Sequence, residues 1–89
     1  MAIIKTHTAS AQNSYSAKFA LDARPVKISF TGTSTVEIKS YSPADGTTLL
    51  GTLEVENPIS EFSPVVKGLF TVGVPTGGFV DETVITVEQ

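Results

Sequence analysis

Apolar and polar residues alternate with a period of two along most of this chain, the spacing that sends successive side chains to opposite faces of an extended strand. Tyr15, Ala17, Phe19 and Leu21 fall in one phase, with Ser16, Lys18 and Asp22 in the other. Val26, Ile28 and Phe30 alternate with Lys27, Ser29 and Thr31, and Val36 and Ile38 alternate with Glu37 and Lys39. Leu49, Leu53 and Val55 share a face across Gly51, opposite Thr52, Glu54 and Glu56. Phe70, Val72 and Val74 obey the same rule, and the run Thr83-Val84-Ile85-Thr86-Val87 is dense in β-branched residues, whose stiff side chains suit a pleated surface. No segment keeps a capped helical period over three turns. The pattern predicts an all-β fold, a small antiparallel β-sandwich of six or seven half-buried strands. Its expected core is Phe19, Leu21, Val26, Ile28, Phe30, Val36, Ile38, Leu53, Val72 and Ile85.

Turn residues punctuate these runs. Asp22-Ala23-Arg24-Pro25 fixes a turn, and Thr31-Gly32-Thr33-Ser34 reads as a hairpin between two alternating strands. Ser42-Pro43-Ala44-Asp45-Gly46 reads as a second hairpin tip, because Pro presets φ and Asp-Gly tolerates positive φ. Thr76-Gly77-Gly78 reads as a third. Residues 56–64 contain Pro58 and Pro64, which remove ladder donors, so this segment is expected to be a loop crossing between sheets. Ile59, Phe62 and Val65 are expected to tuck beneath the sandwich.

With 89 residues the chain is one domain, 1–89. A domain of this size buries only about 60–65% of its unfolded surface, so association with other subunits is expected to supplement its stability. Residues 1–13 leave two readings open. Ile3 and Ile4 precede a polar run of small residues that suits an extended arm adding a strand to a neighbour, in which case Ile3 and Ile4 are the protein-contact residues. Alternatively they begin the first strand of the domain's own sandwich.

The sequence offers little for catalysis or metal binding. It has no cysteine, hence no disulfide and no thiolate ligand. Six Lys and Arg are scattered in a chain of net charge −3, which gives no stripe for phosphates and predicts no nucleic-acid partner. No apolar run is long enough for a helical membrane span, and the first residues do not read as a signal peptide, so synthesis in the cytosol and no membrane partner are expected. His7 is the sole imidazole, with no partner evident, and reads as a strand-edge residue. Asp81, Glu82 and Glu88 match no calcium-loop spacing and read as solvated, while Asp45 beside Gly46 has a geometric job in a turn. Glu54 and Glu56 read as a solvent-facing strand rather than a glycosidase pair, and Gly73, Gly77 and Gly78 lack the Lys and helix of a phosphate loop. Tyr15 is expected in the core; Tyr41, at a strand end, remains open as a stacking residue. The expectation is a non-enzymatic protein with no cofactor and no metal.

The stretch from Val26 through Gly51, Val-Lys-Ile-Ser-Phe-Thr-Gly-Thr-Ser-Thr-Val-Glu-Ile-Lys-Ser-Tyr-Ser-Pro-Ala-Asp-Gly-Thr-Thr-Leu-Leu-Gly, resembles small virion proteins of tailed bacteriophages. In those chains a Thr-Gly-Thr hairpin and a Ser-Pro-x-Asp-Gly hairpin join adjacent strands of a β-sandwich. Gly77-Gly78 followed by Val84-Ile85-Thr86-Val87 is similar to their closing strand. Where such chains often carry an aromatic after the second hairpin, this one has Leu49-Leu50. The resemblance implies a structural role in the virion, decorating or cementing the outer surface of the major capsid protein lattice, with another head or tail component as an alternative. A homo-oligomer is expected, and a trimer would match the local three-fold sites of an icosahedral lattice. The competing reading is a stand-alone adhesion or ligand-binding sandwich directed at carbohydrate or a host surface.

Overall fold

The alternating segments pair into two antiparallel sheets in a computed structural model that describes residues 1–89. In chain order the strands are β1 (Ile3–Ala9), β2 (Ser14–Tyr15), β3 (Phe19–Leu21), β4 (Val26–Phe30), β5 (Val36–Tyr41), β6 (Leu49–Val55), β7 (Ile59–Phe62), β8 (Gly68–Val74) and β9 (Thr83–Glu88). One sheet has the order β1-β9-β4-β7; the other runs β2-β8-β5-β6, with β3 also pairing β8. The inward phases of the two sheets meet in one core of Phe19, Leu21, Val26, Ile28, Val36, Ile38, Val55, Phe70, Val72, Ile85 and Val87. The all-β sandwich expected from the period-two pattern is the fold observed, with nine strands rather than the six or seven expected.

Two expected core residues lie elsewhere. Phe30 is half-buried and packs against the core from its margin. Leu53 keeps the inward phase, opposite Ile38 in the ladder, yet is 50% exposed. It sits on β6, the outermost strand of its sheet.

Tyr15 also leaves the core, and the ladder gives the reason. Tyr15 pairs with Gly73, whereas Phe19 pairs with Phe70, so the register on β8 shifts by one residue between β2 and β3. A one-residue shift reverses the faces, putting Tyr15 on the outer face and Phe19 and Leu21 on the inner one. The buried Ser16 bridges the break: its backbone N–H bonds the Val72 carbonyl at 2.8 Å, and its hydroxyl accepts the Val72 N–H at 3.2 Å. The unbroken strand read over residues 15–21 is therefore two short ones.

Residues 59–62 form strand β7 rather than a bare crossing loop. The prolines flank the strand and it pairs only with β4, at the sheet edge, where missing donors are tolerated. Phe62 packs on the core, but Ile59 and Val65 are exposed instead of tucked beneath it.

Residues 42–48 alone form a hairpin between consecutive paired strands, β5 and β6. The Thr31-Gly32-Thr33-Ser34 and Thr76-Gly77-Gly78 turns instead carry the chain from one sheet to the other. The first crossing is held from the side. Gly32 has φ +96, and a Cβ there would meet Asp81, Glu82 and Thr83 atoms at 2.9 Å. The Asp81 carboxylate accepts the Thr33 N–H at 2.9 Å. Buried Ser34 donates its hydroxyl to the Asp81 carbonyl and accepts the N–H groups of Val80 and Asp81. Gln89 performs a similar task at the β3–β4 turn: its side-chain carbonyl accepts the Asp22 N–H, and its amide donates to the carbonyls of Asp22 and Arg24.

Candidate functional site

Open sheets end in strands with unpaired backbone groups, so the lateral edges are the first places to look for a binding surface. On one side lie β1 and the short β2 and β3; on the other lie β6 and β7. β7 has four residues, and β2 and β3 have two and three, whereas β1 and β6 have seven each. The two long free edges therefore belong to different sheets and lie on opposite sides of the molecule.

The β6 side carries an apolar groove of about 400 Å³. Its walls are β6 and residues 62–66, and Ile38 and Phe70 contribute to its lining from the core. Leu50 and Leu53 are 59% and 50% exposed, Val65 is 94% exposed, and Leu49, Ile59 and Val66 are also largely open to solvent. Two small residues help keep the groove open: inward-facing Gly51 lies opposite Ser40, and a Cβ on Gly51 would meet only the Ser40 hydroxyl, at 3.8 Å. The sequence reading set Leu49 on one face with Leu53, but a register shift between Ser40 and Tyr41 places Leu49 opposite Tyr41, in the phase of Glu37 and Lys39, and leaves Leu50 to line the groove with Leu53. The exposure of Leu50 and Leu53 was not legible in the sequence, because it depends on β6 being the outermost strand of its sheet.

A second candidate is the outer face of the five-stranded sheet, where Tyr15, Gly73 and Glu37 lie in one row across β2, β8 and β5. With no side chain on Gly73, the Tyr15 ring packs over it, and the Tyr15 hydroxyl donates to the Glu37 carboxylate at 2.7 Å. Burial, reinforced by the hydrogen bond and charge of Glu37 and by Tyr41, pushes the Tyr15 phenol well above its ordinary pKa. The Lys39 ammonium lies 4.2 Å from the centroid of the Tyr15 ring, and Lys18 lies 4.7 Å from that of Tyr41. Such cation–π contacts hold the lysines over the rings. Both tyrosines are thus engaged by side chains of the chain itself, and Tyr41 also shares a hydrogen bond with the Thr71 hydroxyl at 3.3 Å.

The remaining sequence candidates are dispersed. Ile3 and Ile4 are 65% and 38% exposed at the start of β1, which pairs with β9 from Ile3 to Ala9. Of the two readings of the N-terminal segment, membership of the domain's own sheet is the one observed for these residues. His7 has a partner after all: its Nε2 lies 3.1 Å from the Ser14 hydroxyl, joining the two sheets at their margin, and no carboxylate orients the ring. Asp45 accepts the N–H groups of Thr47 and Thr48 and the Thr48 hydroxyl, and these bonds lower its carboxyl pKa to about 2. Asp81 braces residues 32–34 rather than standing free in solvent, which proximity in sequence did not reveal. Nowhere do three His, Asp or Glu side chains converge as a metal site.

The fold and its open edges define an all-β sandwich with an exposed apolar flank. Comparison of the chain with protein-family models, with curated proteins and with solved structures finds no match.

Proposed function

We propose that this chain is a structural protein of a bacteriophage virion, a capsid decoration or cement protein that seats on the outer surface of the major capsid protein lattice as a homo-oligomer, with a trimer favoured. The observation that carries the reading is the flank at β6, where Leu50, Leu53, Val65 and Val66 surround an apolar groove beside a long unpaired strand edge. Monomeric soluble domains seldom leave such a surface uncovered, and paired with a free edge it fits a protein–protein contact. Of the two hairpins that carry the resemblance to phage virion sandwiches, the Ser-Pro-Ala-Asp-Gly tip joins adjacent strands here and supports it, whereas Thr31-Gly32-Thr33 crosses between sheets and does not. A role as another head or tail component uses the same surface.

The carbohydrate-binding alternative is weaker, because stacking a sugar on Tyr15 or Tyr41 would require displacing Lys39 or Lys18 from the rings. A non-enzymatic role is part of the proposal. The His7–Ser14 contact is the nearest thing to a base and nucleophile, and it lacks the third group that would orient the imidazole.

Incubating the purified protein with emptied, undecorated phage heads and sedimenting them tests the reading. Saturable co-sedimentation at a fixed stoichiometry per head is expected. Protein that stays in the supernatant with heads and with tails alike would overturn it.

A further inference from the structure

The two long free edges differ in charge. Residues 1–21, which include β1, β2 and β3, contain Lys5, His7 and Lys18 and no acid at all. Residues 40–66, which include β6 and β7, contain Asp45, Glu54, Glu56 and Glu61 and no base. The edge strands themselves therefore differ: β1 bears Lys5 and no acid, whereas β6 and the residue after it bear Glu54 and Glu56 and no base, while Lys18 reaches away to Tyr41 on β5 and Glu88 pairs opposite Ile3. Each also exposes large aliphatic side chains: Ile3 and Ile4 on the first, Leu50 and Leu53 on the second.

Each edge further offers a regular run for pairing. Beyond the irregularity at Ile3 to Lys5, β1 keeps an unbroken register with β9 over residues 5–9, and β6 keeps one with β5 over residues 51–55. Each strand is paired on one side only, leaving outward backbone groups along the other.

From this complementarity we infer that the occupant of the β6 groove is a second copy of this chain, docked head to tail. The β1 edge of one copy adds to the β6 edge of the next, Ile3 and Ile4 cover the groove beside Leu50 and Leu53, and Lys5 is brought toward Glu54 and Glu56. The symmetric alternatives are disfavoured by charge. Pairing β6 with β6 gathers Glu54 and Glu56 of both copies at one interface, and pairing β1 with β1 sets Lys5 near its own copy, whereas opposite charges across strands attract. A head-to-tail contact closes into a ring where its rotation permits and otherwise runs on as a filament. This inference rests on reading the chain as an assembly module, and it names the partner of that module's apolar edge.

Because the chain has no native cysteine, cross-linking gives a clean test with the full-length protein. Ile4→Cys and Leu53→Cys are made separately at these exposed positions, each checked for an unchanged β spectrum, and treated with a short bismaleimide alone and as an equimolar mixture. Head-to-tail docking predicts that each variant alone stays uncross-linked while the mixture yields a dimer joined between positions 4 and 53. It also predicts that sedimentation shows unmodified protein to self-associate, less so at high salt as the flanks are screened. Cross-linking of either variant with itself in preference to the mixture refutes the geometry, and a concentration-independent monomer refutes self-association altogether. Sedimentation with phage heads separates the two claims. A monomer that binds heads sinks this inference alone, while a head-to-tail oligomer that ignores heads and tails sinks the virion role alone.

Discussion

One substitution made at two glycines is expected to have opposite effects. Gly73 lies on β8 between Tyr15 and Glu37, and a Cβ there would stand 2.7 Å from the Tyr15 Cα and 2.6 Å from its Cδ2, with the Ser14 carbonyl closer still. Two of these three obstacles are backbone, so Gly73→Ala cannot be relieved by swinging one side chain aside. Either β2 peels from β8 or the Tyr15 ring lifts and releases Glu37. Overpacking costs roughly 1–3 kcal/mol, and a lost hydrogen bond to a charged acceptor up to about the same again, less for a ring near solvent. Against this, replacing a strand glycine by alanine returns roughly 0.5–1 kcal/mol. The net expectation is destabilisation by about 2–4 kcal/mol, or a fall in Tm of roughly 10–25 °C for a domain of this size. Gly51→Ala meets only the Ser40 hydroxyl at ordinary contact distance, so the gain stands alone and Tm should rise by roughly 2–8 °C. Urea and thermal unfolding followed by far-UV circular dichroism measure both. Equal shifts in the same direction would refute the account of how β2 sits on β8.

Burial, rather than phase alone, sets the cost of core truncations. Ile28→Ala, at a fully buried site, should lose about 2–5 kcal/mol, while Leu53→Ala, equally inward in phase but half exposed, should lose less than half as much in the same urea titration. The Tyr15 phenol stays protonated in the folded state above its ordinary pKa near 10, so the unfolded chain loses that proton first. The resulting stability is intact below about pH 10 and declines as pH rises, and a spectrophotometric titration should find one tyrosine resisting ionisation until unfolding; Glu37→Gln should lower that resistance. Asp45 behaves oppositely. Its carboxyl falls from 3.8 to about 2 on folding, so its contribution is present above about pH 4 and lost as pH drops through 2. Asp45→Ala should therefore lower Tm at pH 7 and make little difference at pH 2.

Local order was largely readable from the residues. The period-two runs identify Val26, Ile28, Val36, Ile38, Val72 and Ile85 as core because strand geometry alone dictates which side chains share a face. The chemistry of Ser42-Pro43-Ala44-Asp45-Gly46 likewise encodes its own tip, since the Asp45 bonds span only three residues. Whatever depended on partners distant in the chain was not readable. Tyr15 sits outside and Phe19 inside because of a register shift against β8, more than fifty residues away. The turn at Gly32 reads locally as a hairpin but joins two sheets, and its brace, Asp81, lies 48 residues from Thr33. Ile3, Ile4, Leu50 and Leu53 are plain apolar residues in sequence. Strand order alone makes them flanks, because it leaves β1 and β6 outermost and sets Lys5 and the Glu54 to Glu56 segment on opposite sides of one sandwich.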